Sequence, residues 1–415
     1  MKCTDDEYRC RCEDTKNTNI YDLINRDKKC FPDESKMFSS LERLFVSLLK
    51  FAGLAGHNDE EHMEYVKIDD SLDIVISFLK SNYKDMYYRF MGVLSNKQIH
   101  FISYDDLPEM ISNLFDYIYN IVNGTNLTSG EVLKQVSDII YDHLFDSDIF
   151  TFLLYCQLDL EEIIMNCIFV DDYKCYKKDF IDSFVKKENI SSFATDKEIF
   201  VCYDNTIMDV FSILHEFIHL DNLCPDNVIH YDENIYFGDF TSNRPHNFFL
   251  NEIPSIMMEG ELFDYLSKHY DYDLSFYLSY RIKRIENEII GFYLPLMNDV
   301  RELDNGYIDI VRYCLNRSEK FSLMYMFMYE HDNYDNRHLS YILGVIISMY
   351  AMTLSKEDRI TIFNYIRSKI TSDEDYFTMF MNIGLDILDS KDMDKLVSSL
   401  YERNSVMKNS LVKKR

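Results

Sequence analysis

The sequence predicts a mainly α-helical protein, on three observations. Glycine (11 of 415 residues) and proline (6) are scarce, Leu, Ile, Met, Lys and Glu are plentiful, and apolar residues recur at helical spacing from Lys36 onward. Few turn-formers and many helix-formers favour long helices with short connections over a barrel or sandwich. At 415 residues with 47% hydrophobic side chains, the chain has ample material for a core in one large or two ordinary domains.

Residues 1–35 hold Cys3, Cys10, Cys12 and Cys30 among many charges. Their spacing lacks the paired C-x-x-C pattern of a zinc site, so this stretch is expected to be an N-terminal arm. Residues 36–195 read as a helical region. Met37, Leu41, Leu44, Phe45, Leu48 and Leu49 share one helical face, with Gly53 as a stop. Leu72, Ile74, Val75, Phe78 and Leu79 form a second face. Leu107 to Val122 is a third helix closed by Asn123-Gly124, and helices over Glu131–Leu144 and Phe150–Phe169 follow. His57 and His62 are five apart, which turns them about 140° from each other on a helix, so they are expected in a solvated loop.

Residues 196–415 carry the chain's main group of candidate site residues. Glu198 to Tyr203 is β-rich and bounded by Asp204-Asn205, which predicts a strand. Thr206-x-x-Asp209 then opens a helix as a capping box, and Val210, Phe211 and Leu214 face the core. That helix carries His215-Glu216-Phe217-Ile218-His219. Histidines at i and i+4 share a face, so both imidazoles can reach one tetrahedral zinc ion. The intervening Glu216 stands beside the open position, placed to take a proton from a water and pass it to a leaving amine. Two histidines need a third protein ligand, and Glu252 is the best candidate. Pro254 fits the first turn of its helix, Asn251 is suited to the cap, and Glu259 lies two turns along the same face. Glu259 is there expected to accept an N–H from a ligand imidazole, whereas Glu261 is expected to face solvent. His230 and His246 are alternative ligands.

The stretch from Ile199 to His219 resembles the strand, turn and zinc helix of the oligoendopeptidase F and thimet oligopeptidase family. Phe249-Leu250-Asn251-Glu252-Ile253-Pro254-Ser255 with Glu259 is similar to that family's second metal segment. The resemblance implies a large helical zinc-peptidase fold, with residues 36–195 as a lid-like region, residues 196–415 as the catalytic region, a small β element beside the zinc helix and a deep substrate channel. It implies one zinc per chain held by His215, His219 and Glu252, with Glu216 as general base and acid and Glu259 orienting a ligand histidine. Phe200, Val201, Cys202 and Tyr203 would bind the substrate main chain as an added strand. His338 and Tyr341, in Asn336-Arg337-His338-Leu339-Ser340-Tyr341, would donate hydrogen bonds to the reacting carbonyl oxygen, with Tyr350 a further candidate. The chain departs from the family pattern at Ile218, where a small residue is usual, in the long gap between His219 and Glu252, and in its short N-terminal half.

A formal charge of −28 argues against nucleic-acid partners. No stretch predicts a membrane span, the longest apolar run being Tyr341 to Leu354. Met1-Lys2 leads into polar residues, and the ten cysteines lack a disulfide-like spacing, so a cytoplasmic location is expected. The expected partners are peptide substrates. Two other readings stay open: a protease of one protein target, and a non-cleaving relative that binds peptides.

Overall fold

A computed structural model describes residues 63–123, 160–169, 171–186, 197–222, 251–277 and 353–369, with shorter pieces within 130–139, 152, 192–195, 280–284, 341–351 and 379–385. Its described residues are mostly helical, with one three-stranded sheet. The expected helix at Met37–Leu49, His57, His62 and the N-terminal cysteines lie outside them. The chain divides into two compact units, one spanning Tyr65–Asp221 and the other comprising Glu64 and the residues from Asn222 onward. Among the described residues, no helix is long and apolar enough to cross a membrane.

The first unit runs α1 (Ile68–Asn82), α2 (Lys84–Ser95), β1 (Ile99–Ser103), α3 (Leu107–Asn123), α4 (Leu160–Phe169), α5 (Tyr173–Lys186), β2 (Phe193–Ala194), β3 (Ile199–Tyr203) and α6 (Ile207–Asn222). The expected α1 face is found, with Ile74, Val75, Phe78 and Leu79 buried. The third expected helix matches α3, whose Leu107, Ile111, Leu114, Phe115 and Ile118 turn inward. These residues meet Ile163, Ile164 and Cys167 of α4, together with Phe152, Phe200 and Cys202, in one core cluster.

The sheet order is β1-β3-β2. β1 and β3 run parallel in the register Ile99↔Ile199 to Ser103↔Tyr203, while the short β2 pairs antiparallel through Phe193↔Phe200. A parallel pair requires a long crossover, and here that connection contains α3, α4 and α5. Ile199 to Cys202 are buried without alternation, as a central strand covered on both faces demands.

The second unit holds α7 (Glu252–His269), residues helical within 275–284 and 341–351, and α8 (Lys356–Lys369). α7 buries Ile253, Ile256, Met257, Met258, Leu262, Phe263 and Leu266, and Pro254 sits in its first turn, where a missing N–H costs little.

Candidate metal centre

The strand-to-helix turn that aims α6 is built from side chains that replace missing backbone partners. Asn205 takes a positive φ of 61°, a conformation asparagine tolerates better than most residues. Its carbonyl accepts from the Val66 N–H (2.9 Å) and its Oδ1 from the Ile68 N–H (3.2 Å), which ties the start of α1 to the turn. Thr206 Oγ1 accepts from the Met208 N–H (3.3 Å), and Asp209 Oδ2 reaches back to accept from the Thr206 N–H (2.9 Å). The expected capping box is therefore present. Burial, and then the nearby Asp204 charge, push the Asp209 carboxyl up to about 7, against the backbone N–H groups that favour its ionised form.

From this start α6 is buried on nearly every side, unlike an ordinary surface helix. Phe217 and Ile218 are fully enclosed, and Phe217 meets Phe90 of α2 edge-on at 4.8 Å. Yet the same two turns enclose His215, Glu216 and His219, each less than a tenth exposed. Burying three titratable groups on one helix is costly unless they serve one another or a ligand. The two imidazoles stand nearly perpendicular, with their Nε2 atoms 2.9 Å apart.

The end of α6 is anchored by charge and amide pairing. Arg89 of α2 grips both oxygens of buried Asp221, at 2.5 and 3.0 Å. Asn222 Nδ2 donates to Asn251 Oδ1 at 2.8 Å, both side chains buried, so the last residue of the helix is joined to the residue before Glu252. Asn251 thus spends its side chain on Asn222 and makes no side-chain cap bond to α7, contrary to the sequence expectation. Among the described residues, His215 and His219 on α6 and Glu252 at the start of α7 are the side chains that could serve as ligands to a metal.

Two nitrogens bound to one tetrahedral zinc at about 2.0–2.1 Å stand about 3.3 Å apart. The observed 2.9 Å is a few tenths shorter. Open zinc sites use two nitrogens and one carboxylate oxygen, whereas closed structural ones use four protein ligands, often cysteine-rich.

Around α7 the structure adds residues that the sequence did not single out. Glu259 is buried and accepts from the Tyr277 hydroxyl (2.8 Å) and from Arg281 Nη1 (2.7 Å). Burial raises the Tyr277 hydroxyl well above its ordinary value, with Arg281 opposing and Glu259 reinforcing, which keeps it a proton donor. Burial disfavours the Arg281 charge, but Glu259 and Tyr277 outweigh it and the guanidinium stays charged. Glu261, expected in solvent, is instead largely buried and paired with Arg359 Nε of α8 at 2.5 Å. A helix packed on its neighbour had brought a cation over that face.

Tyr341 is brought to Glu252: its hydroxyl donates to Glu252 Oε1 at 3.0 Å, and Arg284 lies over its ring, 4.0 Å from the centroid. Tyr350 donates to the Gly384 carbonyl at 3.3 Å. His230, His246 and His338 lie outside the described residues.

The added-strand role expected of Phe200, Val201, Cys202 and Tyr203 is not available to β3. It is the central strand, paired with β1 along its whole length. On the other side Phe200 meets Phe193, and beyond the end of β2 Ser192 Oγ takes the Cys202 N–H (3.0 Å) and donates to its carbonyl (3.4 Å). Comparison with protein-family models, curated proteins and solved structures finds no match to this chain.

Proposed function

We propose that this protein is a zinc-dependent peptidase. The observation that carries the reading is the pair His215 and His219 on one face of α6, their Nε2 atoms 2.9 Å apart, with Glu216 buried on the same helix turn. The likeness of Ile199–His219 and Phe249–Glu259 to the oligoendopeptidase F and thimet oligopeptidase family points the same way, toward a large helical zinc-peptidase fold whose channel admits short peptides.

His215 and His219 would hold the ion through Nε2, and Glu252 through a carboxylate oxygen. The ion, when bound, supplies Lewis acidity that makes water acidic and polarises a carbonyl. Glu216 takes the proton released by the attacking water and delivers it to the amine nitrogen, so that the peptide C–N bond breaks as the new C–O bond persists. The enclosed helix keeps bulk water from Glu216, which strengthens its proton-transfer role. Glu259, pinned by Tyr277 and Arg281, fixes the face of α7 from which Glu252 projects.

The test is elemental analysis of the purified chain, beside hydrolysis of a mixed quenched-fluorescent peptide library. About one zinc per chain is expected, with cleavage abolished and zinc kept in Glu216→Gln, and zinc lowered in Glu252→Ala. Cleavage that survives Glu216→Gln removes the base. Wild-type protein without zinc overturns the site itself. Zinc without cleavage of any peptide favours a protease of one protein target or a binding relative.

A further inference from the structure

Tyr341 meets Glu252 because two backbones approach closely. A Cβ on Gly344 would come within 2.6 Å of Ile256 Cδ1 and 3.5 Å of Ile253 Cα, so a glycine lets the 341–351 segment lie against the first turn of α7. One turn later Ser348, also small, donates to the Ile256 carbonyl at 3.4 Å. One turn earlier, Tyr341 is carried over the start of α7, where its hydroxyl donates to Glu252 Oε1 at 3.0 Å. The ring is held in turn by the Arg284 guanidinium, 4.0 Å from its centroid, in cation–π contact. Arg284 follows Arg281 by three residues, and Arg281 holds Glu259.

We propose that Tyr341 is a positioning residue for Glu252, and that Arg284 holds Tyr341 in place for it. This rests on the zinc-peptidase reading and changes the role the family resemblance suggests for this tyrosine. A phenol has one proton to donate, and here Glu252 receives it. The hydrogen bond fixes the carboxylate's rotation and occupies one of the two lone pairs of Oε1, which sets the orientation in which Glu252 meets a cation. Partners of this kind, one bond removed from the metal, set ligand geometry and affinity.

The test compares wild-type protein with Tyr341→Phe, which keeps the ring and removes the hydroxyl. Zinc affinity is read by competition with a fluorescent chelator, and coordination by the visible absorption of the cobalt(II)-loaded protein. The expected result is a zinc affinity weaker by about 10–100-fold, with a changed intensity of the cobalt bands and unchanged far-ultraviolet circular dichroism. Equal affinity and an equal cobalt spectrum in the two proteins would overturn the proposal, as would a lower unfolding midpoint with the metal properties unmoved. Wild-type protein that binds neither ion defeats the zinc-peptidase reading itself. Should Tyr341→Phe not fold, Arg284→Gln leaves the hydroxyl in place and removes the cation over the ring. A several-fold loss of zinc affinity is then expected, and unchanged affinity overturns the proposal.

Discussion

Replacing Asp209 by asparagine removes a buried carboxyl from the turn that starts α6. In the folded chain this carboxyl titrates near 7, against an ordinary value of 3.8, because burial and then Asp204 oppose its charge. The folded state therefore keeps a proton that the unfolded state has released through that interval. Its contribution to stability is fully present below about pH 4, declines as pH rises toward 7, and is lost above. A shift of about three units corresponds to about 4 kcal/mol, falling at up to about 1.4 kcal/mol per pH unit. Asparagine cannot ionise and can still accept from the Thr206 N–H through its carbonyl oxygen, at a capping loss of about 1 kcal/mol. The difference between the two proteins removes every other titration common to both. Urea unfolding of wild type and Asp209→Asn from pH 3 to 8.5 should show the variant the less stable, by about 1 kcal/mol, at the acid end. At the alkaline end it should be the more stable, by about 2–3 kcal/mol. A difference that stays flat across this range would mean that Asp209 ionises as an ordinary carboxyl, and the account of its burial would be wrong.

Arg281→Met leaves the buried Glu259 without the cation 2.7 Å away, and should destabilise by about 3–5 kcal/mol in urea unfolding. The double variant Glu259→Gln with Arg281→Met should recover much of that loss; a single-variant cost below about 1 kcal/mol would place the pair with exposed ones. Phe90→Ala removes a fully buried ring that meets Phe217 edge-on, and should cost about 3–5 kcal/mol by the same measurement.

Helix α6 was legible in the sequence because two local signals agree. The capping box sets where the helix starts, and Val210, Phe211 and Leu214 go into the core as expected, although α6 buries its other sides as well. β3 was legible from its run of buried β-formers, but its place in the sheet was not. Its long partner β1 lies a hundred positions earlier in the chain, and nothing local in Ile99-His100-Phe101-Ile102-Ser103 announces a parallel pairing. That is why β3 read as a strand free to accept a substrate and is instead a central one.

The cations around α7 were missed for a different reason: they depend on which helix turns back. The chain leaves α7 at His269, runs through Tyr270 to Leu274 and becomes helical again at Ser275. A short connection of this kind makes an antiparallel helical pair. In such a pair the residues nearer the turn meet one another first. Tyr277 and Arg281 accordingly meet Glu259, the acidic residue nearer the turn. Arg284, farther out, lies over Tyr341, which donates to Glu252, the farther one. The seven-residue step from Glu252 to Glu259 on one helix is thus answered by the seven-residue step from Tyr277 to Arg284 on the next. Both steps are two helical turns, so each pair keeps to one face. The spacing was visible in the sequence, but it has meaning only once the fold sets the two faces against each other, and only then does Tyr341, from a segment much later in the chain, complete the support of Glu252.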